Sequence, residues 1–431
     1  MRKEFLNTVQ NILANYTYVV VKPSAANLDE WSEFSDIDIA IDENSAIKIW
    51  EKLEKNEVVK KVRAADKSYM FQLYFILKDD SIVAIDFIFQ HKHLRKHLMT
   101  LEEMLYHRKQ NQSGLWAMDE MVEFEFIWLF YMLNKSALPE KYVQQFNAFN
   151  DDLKYNIIQQ LKAKYETVVV KFEELFALQN FRKIVLKNIF KKSENRGLKG
   201  LSNRIDYYLD LGNEFFLADG LMITFSGVDG AGKSTVIENL KHKIDKQLRR
   251  RVVVIRHRPS LLPIINAWFV GKKKAEELSV QKLPRQGENK SSISSFIRFV
   301  YYFMDYFFGQ FWIELIYVSR GYIVLYDRYY FDFINDSKRS NIKLSKGFTK
   351  WFYRFLIKPD LNYFLTAPAE EILKRKQELS AETIHELTAE YKKLFSDLQS
   401  KTSKVKYEIV NNIVLDETVE NIFKDVKTKT I

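Results

Sequence analysis

The segment 227–235, GVDGAGKST, constrains the fold of this chain more than any other part of its 431-residue sequence. It follows an apolar run of strand length, LMITFS, and it precedes the stretch STVIENLKHKI, whose apolar residues recur at helical spacing. A strand, a glycine-rich loop and a helix in this order are typical of a phosphate-binding turn. Glycines let the backbone amides close around phosphate oxygens, and the helix N-terminus adds positive potential.

The pattern G-x-x-x-x-G-K-[ST] within this loop assigns roles to single residues. Lys233 is expected to reach the β- and γ-phosphates of a nucleoside triphosphate, and Ser234 is expected to bind Mg²⁺. We therefore predict ATP and Mg²⁺ as cofactors. The predicted nucleotide-binding residues are Gly227, Asp229, Gly230, Gly232, Lys233, Ser234 and Thr235.

Charged residues follow three later apolar runs of strand length. Arg258 follows RRVVVI, Asp327, Arg328 and Tyr329 follow GYIVLY, and Arg375 lies in the basic stretch EEILKRKQEL after KPDLNYFLT. Strands that alternate with helices predict an α/β fold with a parallel sheet, whose ligands collect at the carboxyl ends of the strands. Arg258 is thus predicted to lie at the ligand-binding edge of this sheet, where it contacts a phosphate or, as the alternative, pairs with an acidic surface group.

From about residue 221 to the C-terminus, these motifs resemble those of the thymidylate kinase group of P-loop nucleotide kinases. The resemblance implies transfer of the γ-phosphate of ATP to a nucleoside monophosphate or a related small acceptor. It implies that Asp229 contacts the acceptor sugar and that Asp327 and Arg328 contact metal and phosphate. Arg375, in the basic lid, would stabilise the moving phosphoryl group, with a solvated helix face as the alternative. The implied catalytic residues are Lys233, Asp327, Arg328 and Arg375, and the implied substrate-binding residues are Asp229, Arg258, Arg328 and Tyr329.

The sequence departs from this group after the second strand of the predicted sheet. Thymidylate kinases usually have an arginine followed by Glu-Pro-Gly-Gly at this point, and this chain has RHRPSLLPIINAW instead. We therefore expect an acceptor pocket with a different shape, and the identity of the acceptor stays open.

A second set of carboxylates lies near the N-terminus. In SDIDIAID, Asp36 and Asp38 alternate with apolar residues and so project from the same face of a strand, and Asp86 lies within the strand-like run SIVAIDFIF. Three carboxylates on neighbouring strands can hold two divalent ions. The alternative is a set of edge-strand aspartates that face water.

This carboxylate pattern resembles the nucleotidyltransferase superfamily that includes DNA polymerase beta, over roughly residues 1–100. The resemblance implies that Asp36, Asp38 and Asp86 are metal ligands. Members of that superfamily carry a Gly-Ser or Gly-Gly pair before the first aspartates, where this chain has Lys22, Pro23 and Ser24. Proline offers no backbone amide to a phosphate, so an active and a degenerate domain both stay open. The following HKHLRKH is interpreted as a basic face near a phosphate site or as a solvated face, and not as a metal site.

The predicted domain organisation has three parts: a small α+β nucleotidyltransferase-like domain over residues 1–100, a helical segment or linker over 101–215, and a kinase-like domain over 216–431. The helical segment either belongs to the first half, where it would complete the acceptor site, or forms a spacer or a dimerisation bundle. The chain has no cysteine, and its N-terminus lacks the pattern of a signal peptide, so we expect a cytoplasmic protein. The apolar stretch 299–318 is long enough to cross a membrane. It contains Asp305, Gln310 and Glu314, which favour a buried helix and predict no membrane span.

Two classes of function fit this sequence. The first is a phosphotransferase whose partner is a small phosphate acceptor, with the formation of a homodimer left open. The second is a nucleotide-dependent switch or nucleic-acid-binding regulator, since the net charge is +10 and the excess of basic residues lies beyond residue 90. No nucleic-acid-binding module is identifiable, and we do not expect nucleic acid as a partner.

Overall fold

The computed structural model describes residues 1–23, 25–216, 220–256, 258–259, 292–340, 342–376 and 379–430. The chain divides into two compact units, Met1–Asn213 and Glu214–Ile431. Each unit contains its own β-sheet with helices around it, which confirms a mixed α/β architecture.

The N-terminal unit is built on a mixed sheet with the strand order β3-β4-β5-β2-β1-β9-β8. Strands β1 and β2 are antiparallel, whereas β2 and β5 are parallel. Strands β6 and β7 form a separate hairpin. The strand bounds are β1 Tyr18–Val21, β2 Ile37–Ile41, β3 Val59–Lys67, β4 Met70–Leu77, β5 Ile82–Ile88, β6 His91–His93, β7 Lys96–Met99, β8 Lys109–Gln110 and β9 Trp116–Ala117.

Both faces of this sheet are buried. Tyr18 and Val20 of β1 belong to one apolar core, whereas Val19 and Val21 belong to another, as the two-residue period of a strand requires. Helices α1 and α2 share the first core, and α4 to α7 share the second. The helix bounds are α1 Arg2–Leu13, α2 Glu43–Glu54, α3 Leu101–Leu105, α4 Glu120–Leu133, α5 Glu140–Asn147, α6 Asp151–Tyr165, α7 Leu178–Lys191 and α8 Gly197–Phe216.

The segment that follows residue 100 belongs with the N-terminal sheet, which is one of the two alternatives that the sequence left open. Strands β8 and β9 lie beyond residue 100, and β9 pairs with β1 of the same sheet. Helices α4, α6 and α7 pack on that sheet with buried side chains such as Trp128, Leu161 and Val185. Residues 101–191 therefore complete the N-terminal unit, since without these helices one face of the sheet would be exposed.

The C-terminal unit contains a five-stranded sheet with the order β11-β12-β10-β13-β14, in which every pair of neighbours is parallel. The predicted parallel sheet is confirmed. Its strands are β10 Leu221–Ser226, β11 Val252–Arg256, β12 Ile323–Asp327, β13 Leu361–Thr366 and β14 Lys406–Asn411. The helices of the described residues are α9 Lys233–Lys243, α10 Ser292–Ile313, α11 Phe331–Asn335, α12 Lys346–Phe352, α13 Ala369–Arg375, α14 Ala381–Gln399 and α15 Leu415–Thr430.

Helix α10 contains most of the apolar stretch that the sequence raised as a membrane candidate. It packs Phe299, Phe303 and Tyr306 into the core of the C-terminal unit, and it buries Asp305 and Gln310. None of the helices in the described residues has the length and apolarity needed to cross a membrane.

Candidate functional site

The loop between β10 and α9 has the backbone conformation that its glycines permit. Gly230 and Gly232 have φ angles of +89° and +85°, in the left-handed region that favours glycine. Helix α13 packs closely against this loop. A Cβ placed on Gly230 would lie only 3.0 Å from the carbonyl oxygen of Ile372 in that helix. The loop therefore combines tight curvature with close packing, and side chains at these two positions would disturb both.

Lys233 begins α9 and turns back into the loop. Its Nζ donates to the carbonyl oxygens of Gly227 and Val228, at 2.9 Å and 3.0 Å. Its side chain is buried, and burial lowers the pKa of Lys233 to about 8, with a further contribution from the nearby Arg328 guanidinium. The two carbonyl groups do not neutralise the charge of Lys233, so this buried ammonium favours the binding of an anion at the loop.

Ser234 and Asp327 form a hydroxyl–carboxylate pair beside the loop. Asp327 ends β12 and lies in register with Phe225 of the adjacent β10, and the Oγ of Ser234 is 3.5 Å from its Oδ2. Both residues keep access to solvent. Hydroxyl and carboxylate oxygens are ligands that Mg²⁺ accepts together with phosphate oxygens, so the predicted magnesium residues fit such an ion.

Arg328 connects two aspartates at the same edge of the sheet. Its guanidinium forms ion pairs with Asp229 and, at 2.9 Å, with Asp332, which also accepts a hydrogen bond from Tyr391 at 2.7 Å. Arg339 forms a second ion pair with Asp229. Burial alone would raise the pKa of Asp229, but Arg328, Lys233 and Arg339 outweigh it and lower that pKa to about 2. Asp229 and Arg328 are thus brought together as a fixed pair.

Arg375 ends α13 and lies near the loop, as the resemblance implied. A Cβ placed on Gly232 would lie 3.6 Å from a guanidinium nitrogen of Arg375, whose side chain is exposed to solvent. Thr235 occupies the first turn of α9 and is also exposed. Both residues can therefore contact a ligand that binds over the loop.

Two predicted substrate residues are engaged elsewhere. Arg258 forms an ion pair at 2.6 Å with Asp305, which is completely buried, so its partner is an interior carboxylate of α10 and not a surface group. Tyr329 is completely buried, and its hydroxyl donates to the carbonyl oxygen of Ile357 at 2.8 Å. The prediction that Tyr329 contacts substrate is not supported, because the aromatic core holds its ring beneath the site.

Asn412 supports the loop and was not identified from the sequence. Its buried side chain donates from Nδ2 to the carbonyl oxygen of Ala231 at 2.8 Å, and its backbone amide donates to Thr366 at 2.7 Å. It follows β14 directly, so a search for polar residues at strand ends would have found it. Arg339 and Asp332 gave no comparable signal, since neither follows a strand.

In the N-terminal unit, Asp38 and Asp86 lie opposite each other on the parallel strands β2 and β5. Asp36 precedes β2 and is exposed. Burial raises the pKa of Asp86 to about 8, and the carboxylates of Asp38 and Asp36 add to this rise. Gln72 donates to Asp86 at 3.2 Å. The three predicted carboxylates therefore share one region of the sheet, close enough to affect one another.

Lys22 occupies this carboxylate region. Its Nζ lies 2.5 Å from Oδ2 of Asp38, and its backbone adopts a left-handed conformation with φ +56°. Burial would lower the pKa of Lys22, but Asp38 outweighs it and raises that pKa above its ordinary value. Among the residues that the structure describes, no group of three or more histidine, aspartate or glutamate side chains could hold a metal ion. The metal role predicted for Asp36, Asp38 and Asp86 stays a prediction, and in this structure the Lys22 ammonium neutralises Asp38.

We expect Lys22→Ala to increase Mn²⁺ affinity by about fivefold or more, because loss of a nearby unit charge changes a binding free energy by about 1 kcal/mol or more. Isothermal titration of nucleotide-free protein with Mn²⁺ measures this change. Lys60→Ala is the matched control, since Lys60 pairs with Asp80 at the surface. Equal Mn²⁺ affinity in wild type and Lys22→Ala would contradict the assignment of Lys22 as the resident cation.

The histidines of HKHLRKH differ from the predicted basic or solvated face. His91 and His97 are buried, and the ring of His91 stacks on Phe126 with centroids 4.0 Å apart. Burial lowers the pKa of His91 to about 3, with Lys22 contributing, and burial also lowers the pKa of His97. These two rings are therefore neutral parts of the interior. Between them Arg95 is exposed, whereas the side chain of Lys92 is nearly buried and pairs with Asp206.

No protein-family model matches the chain, and no curated protein matches it. A functional assignment therefore depends on the contacts within the chain itself.

Proposed function

We propose that the C-terminal unit is an ATP- and Mg²⁺-dependent kinase that transfers the γ-phosphate to a nucleoside monophosphate or a related small acceptor. The arrangement of Ser234, Asp327 and Lys233 around one loop carries this proposal. The Oγ of Ser234 lies 3.5 Å from Asp327, and the Lys233 ammonium lies within hydrogen-bond distance of the loop carbonyls. A buried cation beside a pair of oxygen ligands suits a bound triphosphate with its metal ion.

The chain's own side chains supply charge and position in this proposal. Phosphoryl transfer depends on positioning and on neutralising phosphate oxygens more than on covalent chemistry by the protein. Lys233 would hold the β- and γ-phosphates, and Arg375, exposed beside the loop, would neutralise the transferred group. A bound Mg²⁺ ion would draw charge from the same phosphate oxygens.

The acceptor would lie beside the pair of Asp229 and Arg328. Because its pKa is lowered to about 2, Asp229 is ionised at neutral pH and can accept hydrogen bonds from the hydroxyl groups of an acceptor. Arg328 is buried and bound to two aspartates, so its first role is to fix Asp229 in place. This arrangement favours an acceptor with hydroxyl groups, such as a sugar or a nucleoside.

For the N-terminal unit, we propose a nucleotidyltransferase-like scaffold in which Lys22 has replaced a metal ion. The adjacent Asp38 and Asp86 on parallel strands support the scaffold, and the 2.5 Å contact between Lys22 and Asp38 supports the replacement. Such a unit would bind ligands without performing nucleotidyl transfer.

Release of ADP from ATP and Mg²⁺ across a panel of nucleoside monophosphates, nucleosides and sugar phosphates tests the kinase proposal. We expect one acceptor class to stimulate release, and Lys233→Ala to reduce it by about 100-fold or more, as for removal of other charge-stabilising groups. Lys241→Ala is the matched control, because Lys241 is an exposed residue of the same helix. ATP binding without acceptor-stimulated release would contradict a kinase and favour a nucleotide-dependent switch.

A further inference from the structure

A cavity of about 280 Å³ lies in the N-terminal unit, and its lining contains none of the carboxylates of β2 and β5. The β6–β7 hairpin, the end of α4, and helices α7 and α8 line it, and it is open to solvent on one side. Its polar wall contains Arg95, Lys96, Arg182 and Arg204, and no aspartate or glutamate lines it. Its volume is near the lower end of the range of small-molecule sites, which begins at about 300 Å³.

The cations of this cavity lack the acidic partners that basic residues usually find. Within the described part of the chain, no carboxylate forms an ion pair with Arg182 or Arg204, and the buried Nε of Arg182 has no hydrogen-bond partner. The neighbouring Lys92, by contrast, pairs with Asp206 at 3.4 Å. Buried donors without partners are uncommon in folded proteins and require an explanation.

The positive charges of the cavity affect one another. Burial lowers the pKa of Lys96, and the guanidinium groups of Arg204 and Arg95 lower it further. Burial also lowers the pKa of His93, with Arg182 contributing. The protein thus keeps repelling cations together around a cavity, and a bound anion would relieve this repulsion.

The remaining wall is apolar. Leu133, Leu186 and Phe190 line it, and the Nζ of Lys96 lies 4.0 Å from the centre of the Phe190 ring. A bare inorganic ion would leave this surface without a contact. A ligand that fills the cavity therefore combines an anionic group with an apolar or aromatic body.

We propose that this cavity binds a small organic phosphate, with the phosphate between Lys96, Arg182 and Arg204 and the apolar body against Leu133, Leu186 and Phe190. Guanidinium groups match the oxygens of phosphate through paired hydrogen bonds, which favours phosphate over a single carboxylate. The cavity is lined by residues of the N-terminal unit, and Lys233 belongs to the C-terminal unit, so this proposal can be tested independently of the kinase proposal.

Calorimetric titration of the full chain with phenyl phosphate tests this site. Every protein in the test carries Lys233→Ala, which weakens phosphate binding at the loop equally in all arms. We expect phenyl phosphate to bind more tightly than inorganic phosphate, and benzyl alcohol not to bind. Arg182→Gln and Arg204→Gln should each weaken phenyl phosphate binding by about tenfold or more, since hydrogen bonds to charged groups contribute strongly.

Arg196→Gln is the matched control, because Arg196 is an exposed arginine that does not line the cavity. Arg182→Lys keeps the charge and should retain part of the affinity, and unchanged melting temperatures would exclude misfolding of the variants. Equal weakening by Arg196→Gln would overturn the site. Equal affinities for phenyl phosphate and inorganic phosphate would overturn an organic ligand. Displacement of phenyl phosphate by a short single-stranded oligonucleotide at far lower concentration would assign these arginines to nucleic acid instead.

Discussion

Replacing Lys233 with methionine is expected to remove the ATP-dependent stabilisation of the protein and, at the same time, to stabilise the nucleotide-free form at neutral pH. The ammonium of Lys233 is buried against two carbonyl oxygens, and its pKa is lowered from 10.5 to about 8. A shift of this size corresponds to about 3 kcal/mol of destabilisation of the charged form. Methionine has a similar length and no charge, so it avoids this cost.

The sign of the pH dependence follows from the two protonation states. Below pH 8, Lys233 is charged in both the folded and the unfolded chain, and the folded chain bears the full cost of burying the charge. As the pH rises from about 8 to 10.5, the folded chain loses this proton before the unfolded chain does, and the cost disappears. The stability advantage of Lys233→Met over the wild type should therefore shrink by about 3 kcal/mol across this interval.

Urea unfolding of wild type and Lys233→Met at a series of pH values measures this difference, because the other lysines titrate alike in both proteins. Melting temperatures with and without ATP and Mg²⁺ measure the loss of binding. Lys241→Met, on the exposed face of α9, controls for the removal of a lysine. A pH-independent difference, or stabilisation of Lys233→Met by ATP equal to that of the wild type, would contradict this account.

The replacement Arg328→Gln is expected to destabilise the C-terminal unit by about 3–5 kcal/mol, as removal of one partner from buried ion pairs does. Arg328 is buried and neutralises both Asp229 and Asp332. Glutamine would leave both carboxylates in the interior with less compensating charge. The pKa of Asp229, now lowered to about 2, should rise in the variant.

Denaturant unfolding of Arg328→Gln and Arg339→Gln compares two arginines that share a partner. Arg339 also pairs with Asp229, but it is more exposed and neutralises one carboxylate, so its loss should cost less. Arg328→Lys keeps a charge without the planar guanidinium and should lie between the wild type and Arg328→Gln. An equal cost for Arg328→Gln and Arg339→Gln would show that Arg328 does not hold the two aspartates as a unit.

The residues that sequence reasoning located correctly are those whose environment is set locally. Gly230, Gly232 and Lys233 lie within four consecutive residues of one loop, so their spacing in the sequence determines where they lie relative to one another. Asp36 and Asp38 were predicted on one strand from alternation, and Asp86 was predicted within a second strand-like run. Asp38 and Asp86 lie in register, whereas Asp36 precedes β2. The parallel sheet followed from the alternation of strands and helices.

Contacts between distant segments could not be predicted in the same way. Arg339 reaches Asp229, and Asn412 reaches Ala231, across intervals of more than a hundred residues. Tyr329 follows Asp327 and Arg328 directly, but the aromatic rings of Tyr306 and Phe331 pack against it and hold it in the core. Sequence proximity to functional residues does not determine on which side of a turn a side chain lies.

The short strands β8 and β9 explain why the sequence left the role of residues 101–215 open. Each contains two residues, too few for a recognisable alternation of apolar and polar side chains. Their assignment to the sheet depends on the pairing of Val20 with Ala117, which no local pattern indicates.

Strand β1 separates two apolar cores, and this position limits how the gene can change. Substitutions that conserve size at Val19 or Val20 alter a single core, whereas insertion or deletion of one codon within 18–21 would exchange the side chains that face the two cores. The same shift would turn Lys22 away from Asp38 and from the ring of Phe126. Insertions and deletions among descendants of this sequence should therefore accumulate outside β1. The ion pair between Lys22 and Asp38 should be conserved only where the β1 side chains keep facing the same two cores.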